Sequence, residues 1–226
     1  MAIERPEPTI ESLQQEVQAL RDENAVLRQK LAFAEEEKLE LTDPLTNLYN
    51  RRGFLKVARL MLPEAEEGAH EKRSSAIKEK KVAVLALDLD NFKVVNDLKG
   101  HPEGDRILKE AAVFLERSVR NSDVVARVGG EEFIILFNNS AGQDVINKFF
   151  DQTAKRSRLG FETEFEGKTI RLSFSGGVSA FAPGENIGDL DAVIARADAA
   201  LLKAKEEGKD RIEPSLAKEK ESVEAD

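Results

Sequence analysis

Val82-Ala-Val-Leu-Ala-Leu-Asp88 runs apolar for six residues and then turns acidic. A short run without alternation marks a strand buried on both faces. Downstream, Gly104 to Val119 carries apolar residues at helical spacing (Ile107, Leu108, Ala111, Ala112, Leu115). Asp123 to Val128 and Glu132 to Phe137 then read as two strands joined across Gly129-Gly130 as a hairpin. Ala141 to Arg158 is predicted as a helix, Thr169 to Ala180 as a strand whose Gly176-Gly177 signals a bulge or close approach, and Leu190 to Glu207 as a helix. Upstream, Asn50 to Leu62 is helical, while Pro63 to Lys81 is a Glu/Lys/Ser-rich surface loop. This order predicts an α+β fold, a central sheet containing antiparallel strands with helices packed against it.

Before that domain, residues at alternating steps of three and four form a heptad seam: Ile10, Leu13, Val17, Leu20, Asn24, Leu27, Leu31, Ala34, Lys38 and Leu41. With Ile10 at position a, Asn24 also falls at a, where a buried amide selects register. Glu16, Glu23 and Lys30 occupy g, and Arg21, Arg28 and Glu35 the following e, so all three g-to-e pairs of a parallel dimer have opposite signs. The alternative is an amphipathic helix packed on its own domain. Asp43-Pro44 ends the pattern, because proline cannot continue the helical ladder. The expected organisation is a coiled-coil helix over residues 1–42, a catalytic domain over 43–212, and a charged, disordered tail over 213–226.

The chain has 226 residues, with 34 Lys and Arg against 43 Asp and Glu, a net charge of −9. So acidic a protein is a poor general nucleic-acid binder, and the absence of Trp with a single Tyr argues against base-stacking platforms. Without Cys there is no disulfide framework and no thiolate metal site. No stretch approaches the roughly 20 apolar residues of a membrane span, and Met1 to Pro8 lacks a secretory run, so the expectation is a cytoplasmic protein without membrane contact.

Four groups of residues point to chemistry. Asp88-Leu-Asp90-Asn-Phe-Lys93, at the carboxyl end of the buried strand, offers two carboxylates, a turn and an ammonium, which suits a magnesium-triphosphate; a solvated turn closing a strand has the same residues. Gly129-Gly130-Glu131-Glu132 puts adjacent acids on a tight turn, whose repulsion a cation relieves, and Glu131 can share that cation with Asp88 if the hairpin lies beside the strand. Asn96 and Asp105, with His101 among Gly100 and Gly104, can read a guanine edge, although Asp105 also suits a helix start. Lys205 and Lys209, four apart on the last helix, can reach phosphates or simply line a solvated face.

Taken together, Asp43-Pro-Leu-Thr-Asn-Leu-Tyr-Asn-Arg-Arg52, Asp88 to Asp97 with Gly100-His101 and Gly104-Asp105, Arg127-Val-Gly-Gly-Glu-Glu-Phe133, and Ala204-Lys-Glu-Glu-Gly208 resemble the ordered motifs of the GGDEF-domain diguanylate cyclases, with GGEEF at the signature. The resemblance implies a fold like that of nucleotidyl cyclases and polymerase palms, related to the ferredoxin fold. It also implies synthesis of cyclic di-GMP from two GTP. By motif position, Asp88, the Leu89 carbonyl and Glu131 hold two Mg2+, which Mn2+ can replace. Glu131 also helps deprotonate the 3′-hydroxyl, flanked by Glu132; Lys93 steadies phosphate charge. Asn96 and Asp105 read guanine, His101 and Gly130 line the nucleotide site, and Lys205 and Lys209 bind terminal phosphates. Arg120-Asn-Ser-Asp123 matches the motif at which members bind the product and are inhibited by it. Lys209-Asp210 departs from the common Arg-Asn. Each domain holds one GTP, so the coiled coil supplies the second domain. The competing reading is a GGDEF-like receptor that binds cyclic di-GMP or GTP without turnover.

Overall fold

The computed structural model describes residues 18, 20, 21, 24, 28, 38–61, 81–151, 156–182, 185 and 187–215. The chain divides into two units, residues 1–40 and 41–226. In the first, every described residue is helical, and Asn24 Nδ2 donates to the Leu20 carbonyl at 2.9 Å. The seam positions Ile10, Leu13, Val17, Leu27, Leu31 and Ala34, and the charged positions Glu16, Glu23, Lys30 and Glu35, lie outside the described residues. So do residues 62–80 of the predicted loop and 216–226 of the tail.

The second unit contains α1 (Arg51–Met61), β1 (Val82–Leu89), α2 (Phe92–Lys99), α3 (His101–Ser118), β2 (Val124–Arg127), β3 (Glu132–Asn138), α4 (Gly142–Phe149), β4 (Phe150–Asp151), β5 (Arg156–Ser157), β6 (Gly160–Phe165), β7 (Lys168–Ala180), α5 (Leu190–Glu206) and β8 (Ile212–Pro214). The main sheet has the order β2-β3-β1-β7-β6, antiparallel throughout, and β8 adds to β7 in parallel. Every residue of β1 is buried. Its pleat explains why: Ala83, Leu85, Leu87 and Leu89 enter one core with Phe92, Val95, Ile107, Leu115 and Phe174, while Val82, Val84 and Ala86 enter another with Phe54, Leu190, Val193 and Ala197. A strand feeding two cores has no polar face, hence the unbroken apolar run.

Pairing of β1 with β3 runs from Val82 opposite Asn138 to Asp88 opposite Glu132, and with β7 from Ala83 opposite Ala180 to Leu89 opposite Phe174. The second register is unbroken, so Gly176-Gly177 makes no bulge. The glycines instead allow close approach: a Cβ on Gly177 would stand 2.1 Å from the Ala197 carbonyl oxygen and 2.2 Å from Leu201 N. Helix α5 therefore rests on the backbone of β7, which fixes Lys205 in its last turn over the end of β1.

The predicted helix Ala141–Arg158 is corrected. Helix α4 stops at Phe149, and β4 and β5 pair after it. From Asp151 to Arg158 the sequence offers only Ala154 as an apolar residue, so a longer helix would have no face to bury. Besides β4 and β5, the unanticipated elements include α2, which immediately follows the acidic end of β1, and strands β6 and β8. Gly177→Ala should destabilise the domain by about 3 kcal/mol in urea unfolding, whereas Gly130→Ala, with open space around it, should change stability by less than about 0.5 kcal/mol.

Candidate active site

The sheet register brings two acids from distant parts of the chain to one place. The Leu89 N–H donates to the Glu131 carbonyl at 3.1 Å, and Val128 N donates to Glu132 O at 3.0 Å, closing the hairpin beside the end of β1. Arg127 holds the turn from outside. Its Nε and Nη2 donate to the Gly130 carbonyl at 3.1 and 2.8 Å, and Nη1 donates to both oxygens of Asp43 at 3.0 and 3.2 Å. Asp43 in turn accepts from Thr46 N and Oγ1 at 2.9 and 2.6 Å, and these bonds with Arg127 hold its carboxyl below the ordinary range although burial opposes them. Sequence reasoning gave Asp43 only the role of ending a helix and gave Arg127 none. Their bond ties the turn after the N-terminal helix directly to the signature hairpin.

At the centre, burial raises the proton affinity of Asp88, opposed by the ammonium of Lys205 and reinforced by Glu132 and Asp90. Lys205 Nζ lies 2.7 Å from Asp88 Oδ2. Burial also raises Glu131, and the charge of Asp88 raises it further against Lys205. Two carboxylates with adjacent backbone carbonyls are hard-oxygen donors of the kind that suits Mg2+ when substrate phosphates and water complete its shell. Among the described residues no three His, Cys, Asp or Glu side chains gather into a closed cage.

Asp90 does not join this pair. Its carboxylate turns to β7 and accepts from Ser173 Oγ at 2.7 Å, Ser175 Oγ at 2.6 Å and Asp210 N at 3.0 Å. Of the two acids that the Asp88-Leu-Asp90 stretch offers a cation, Asp90 is thus taken up by the fold: strand alternation sends residues 88 and 90 to one face, but the paired serines satisfy Asp90. Through Asp210 it anchors the turn in which Lys209 (φ 65°) and Asp210 (φ 49°) adopt left-handed backbone, and Lys209 Nζ reaches Asn91 Oδ1 at 2.9 Å.

The remaining candidates lie on α2 and α3. Asn96 packs with buried Oδ1 against Gly104 so closely that a Cβ there would stand 2.0 Å from it; this Oδ1 has no hydrogen-bond partner. Gly104 is therefore what lets α3 close on Asn96. Lys93, His101 and Asp105 are exposed, and no hydrogen bond or ion pair among the described residues joins them to Asp88 or Glu131.

Residues 40–211 match the family model for the diguanylate cyclase GGDEF domain. The chain belongs to the GGDEF family. It is similar to diguanylate cyclase A of Treponema denticola, 32% identical over 195 residues that cover 84% of this chain and 49% of that protein. It also resembles the solved coiled coil and GGDEF domain of DgcB from Caulobacter crescentus in complex with c-di-GMP (TM-score 0.67, 25% identity, 88% of this chain and 98% of that one). A further likeness is to the active GGEEF domain of a diguanylate cyclase from Vibrio cholerae (TM-score 0.58, 28% identity, 74% and 97%). The chain spans half or less of the length of the curated relatives it matches.

Away from the acids, the GGDEF domain carries Arg120 and Asp123 on the connection from α3 to β2. Asp123 closes this turn: Oδ2 accepts from Arg120 N at 3.0 Å and Oδ1 from Asn138 N at 3.1 Å. The Arg120 side chain is exposed. Lys148 of α4 is a neighbour that sequence reasoning missed; burial lowers its proton affinity, while Asp123 and Arg120 act on it in opposite senses. Nothing in the spacing of 120, 123 and 148 signals their meeting, because β3 intervenes.

Because Glu131 is raised, its charged form opposes folding of the metal-free domain above the proton affinity of the unfolded chain. In EDTA at neutral pH, Glu131→Gln should therefore raise the melting temperature. The gain should shrink as pH falls through the raised range and vanish where both states are protonated, and a variant that melts lower at neutral pH contradicts the assignment.

Proposed function

We propose that this chain condenses two GTP into cyclic di-GMP with release of two pyrophosphates, each nucleotide being held by one copy of a homodimer. The observation that carries this reading is the meeting of Asp88 and Glu131 at the end of β1, secured by the Leu89-to-Glu131 backbone bond, in a GGDEF domain. Similarity to proteins named diguanylate cyclases supports the same activity. The proposed site of action is the cytoplasm, where the substrate is found.

Asp88, the Leu89 carbonyl and Glu131 would hold two Mg2+, with Mn2+ as a substitute. The chemistry such ions would supply there is stabilisation of the ionised attacking hydroxyl and of charge on the leaving pyrophosphate. Glu131, whose burial gives it raised proton affinity, is suited to accept the 3′-hydroxyl proton, with Glu132 adding negative potential beside it. The 3′-oxygen of one nucleotide then bonds to the α-phosphorus of the other as the bond to pyrophosphate breaks, and the second linkage forms in the same way. Lys93, Lys205 and Lys209 bind phosphates. Lys209 does so as a point charge where the family commonly has a forked arginine. Asn96 and Asp105 read guanine, His101 lines its pocket, and Gly130 lets the nucleotide approach the backbone. A parallel coiled coil over the seam from Ile10 to Leu41 keeps two half-sites at high effective concentration. Arg120 and Asp123 form an inhibitory product site, with the exposed guanidinium on phosphate and guanine and the carboxylate accepting from the base edge.

Incubated with GTP and Mg2+, the chain should yield cyclic di-GMP identifiable by mass spectrometry, and Glu131→Gln should lower the rate by about 100-fold or more. Nucleotide binding without any product, at every protein concentration, would favour the receptor reading. Arg120→Ala should leave the initial rate intact and abolish slowing by accumulated product; unchanged slowing would remove the inhibitory role.

A further inference from the structure

Three lysines are assigned to phosphates, yet they stand in different company. Lys209 is bonded to the Asn91 side-chain oxygen, Lys93 is exposed on α2, and Lys205 sits on Asp88 itself, Nζ to Oδ2 at 2.7 Å. The Asp88 side chain is only 10% exposed and that of Lys205 35% exposed, so the pair is partly withdrawn from water. Ala204, the residue before Lys205, is fully buried on the sheet. The helix end is therefore fixed, and only the four-carbon stem of Lys205 is able to swing.

We propose that Lys205 serves as a resident counter-ion for Asp88 that keeps divalent cations off this carboxylate until nucleotide phosphates draw the ammonium away, so that metal and nucleotide enter together. This rests on the reading of Asp88 as a metal-holding carboxylate. An ammonium at hydrogen-bond distance and a divalent ion at about 2.1 Å compete for the same oxygen, and in a partly desolvated site their repulsion is strong. Metal alone must therefore break an ion pair and leave Lys205 without a partner beside a 2+ charge. A triphosphate removes both costs, since it offers anionic oxygens to the displaced ammonium and to the metal. Glu131 and Glu132 lie on the same side of the site as Asp88, so Lys205 also offsets a local excess of negative charge. By reciprocity, the factor by which nucleotide tightens metal binding is the factor by which metal tightens nucleotide binding.

The test is Mn2+ binding to the full chain, followed by electron paramagnetic resonance without nucleotide and then with 3′-deoxy-GTP, which lacks the attacking hydroxyl. Without nucleotide, Lys205→Gln should bind Mn2+ about tenfold or more tightly than the unmodified chain. Lys205→Arg, which keeps the charge, should bind as weakly as the unmodified chain, and adding Asp88→Asn to Lys205→Gln should abolish the gain. Equal affinity in the unmodified chain and Lys205→Gln, or a gain that survives Asp88→Asn, overturns the proposal. If Lys205→Gln does not fold, the unmodified chain decides: its melting temperature should not move with millimolar Mg2+ alone, and a rise with Mg2+ alone that Asp88→Asn removes is the contrary result. A chain that shows the Lys205 effect but makes no cyclic product refutes the cyclase reading and leaves this coupling in place. A working cyclase with equal affinities does the reverse.

Discussion

A single backbone bond, Leu89 N–H to the Glu131 carbonyl, brings to the same sheet end two carboxylates whose proton affinities are both raised, chiefly by burial. Left alone, such a pair opposes the folded state, because burial and like charge both disfavour ionisation. The surrounding structure supplies the compensation. Strand β1 is clamped by continuous pairing to β3 and β7, two cores grip its alternate side chains, and α5 rests on the glycines of β7 with Lys205 directed at Asp88. Strain of this kind is typical where structure serves chemistry rather than stability.

Around that centre the polar residues divide the labour. Arg127 and Asp43 hold the hairpin from the side of the N-terminal turn, and Asp90 holds the Lys209 turn from beneath through Ser173, Ser175 and Asp210. Asp210 adds an ion pair to Arg171 at 3.1 Å, and Arg171 bonds the Ser157 carbonyl at 2.8 Å, so the departure from the family's common residue at 210 is accommodated by a guanidinium across the sheet. Lys205 and Lys209 thus hang from a braced scaffold.

How much of this was legible in the chain depends on the range of the interaction. The double burial of β1 and the hairpin at Gly129-Gly130 follow from local composition, and the approach of Glu131 to Asp88 follows once those two elements are neighbours. Asp90 carried the same local signal as Asp88, and only serines more than 80 residues away separate their roles. The Arg127–Asp43 bond, 84 residues apart, and the approach of Lys148 to Asp123 left no mark in spacing for the same reason. Helix α4 was read too long because Phe149 and Phe150 continue its apolar count while the residues after them supply nothing to bury. Helix α2 was hidden because its eight residues follow directly on the acids and expose Val94 and Leu98.

Asp88 and Glu131 are proposed to share divalent cations across that backbone bond. The most direct measurement is anomalous diffraction from crystals grown with Mn2+ and 3′-deoxy-GTP. Manganese peaks within about 2.2 Å of oxygens from both Asp88 and Glu131, with the Leu89 carbonyl completing the protein ligands, are the predicted result. Manganese bound only through the phosphates, with the two carboxylates apart and Lys205 still on Asp88, would contradict it.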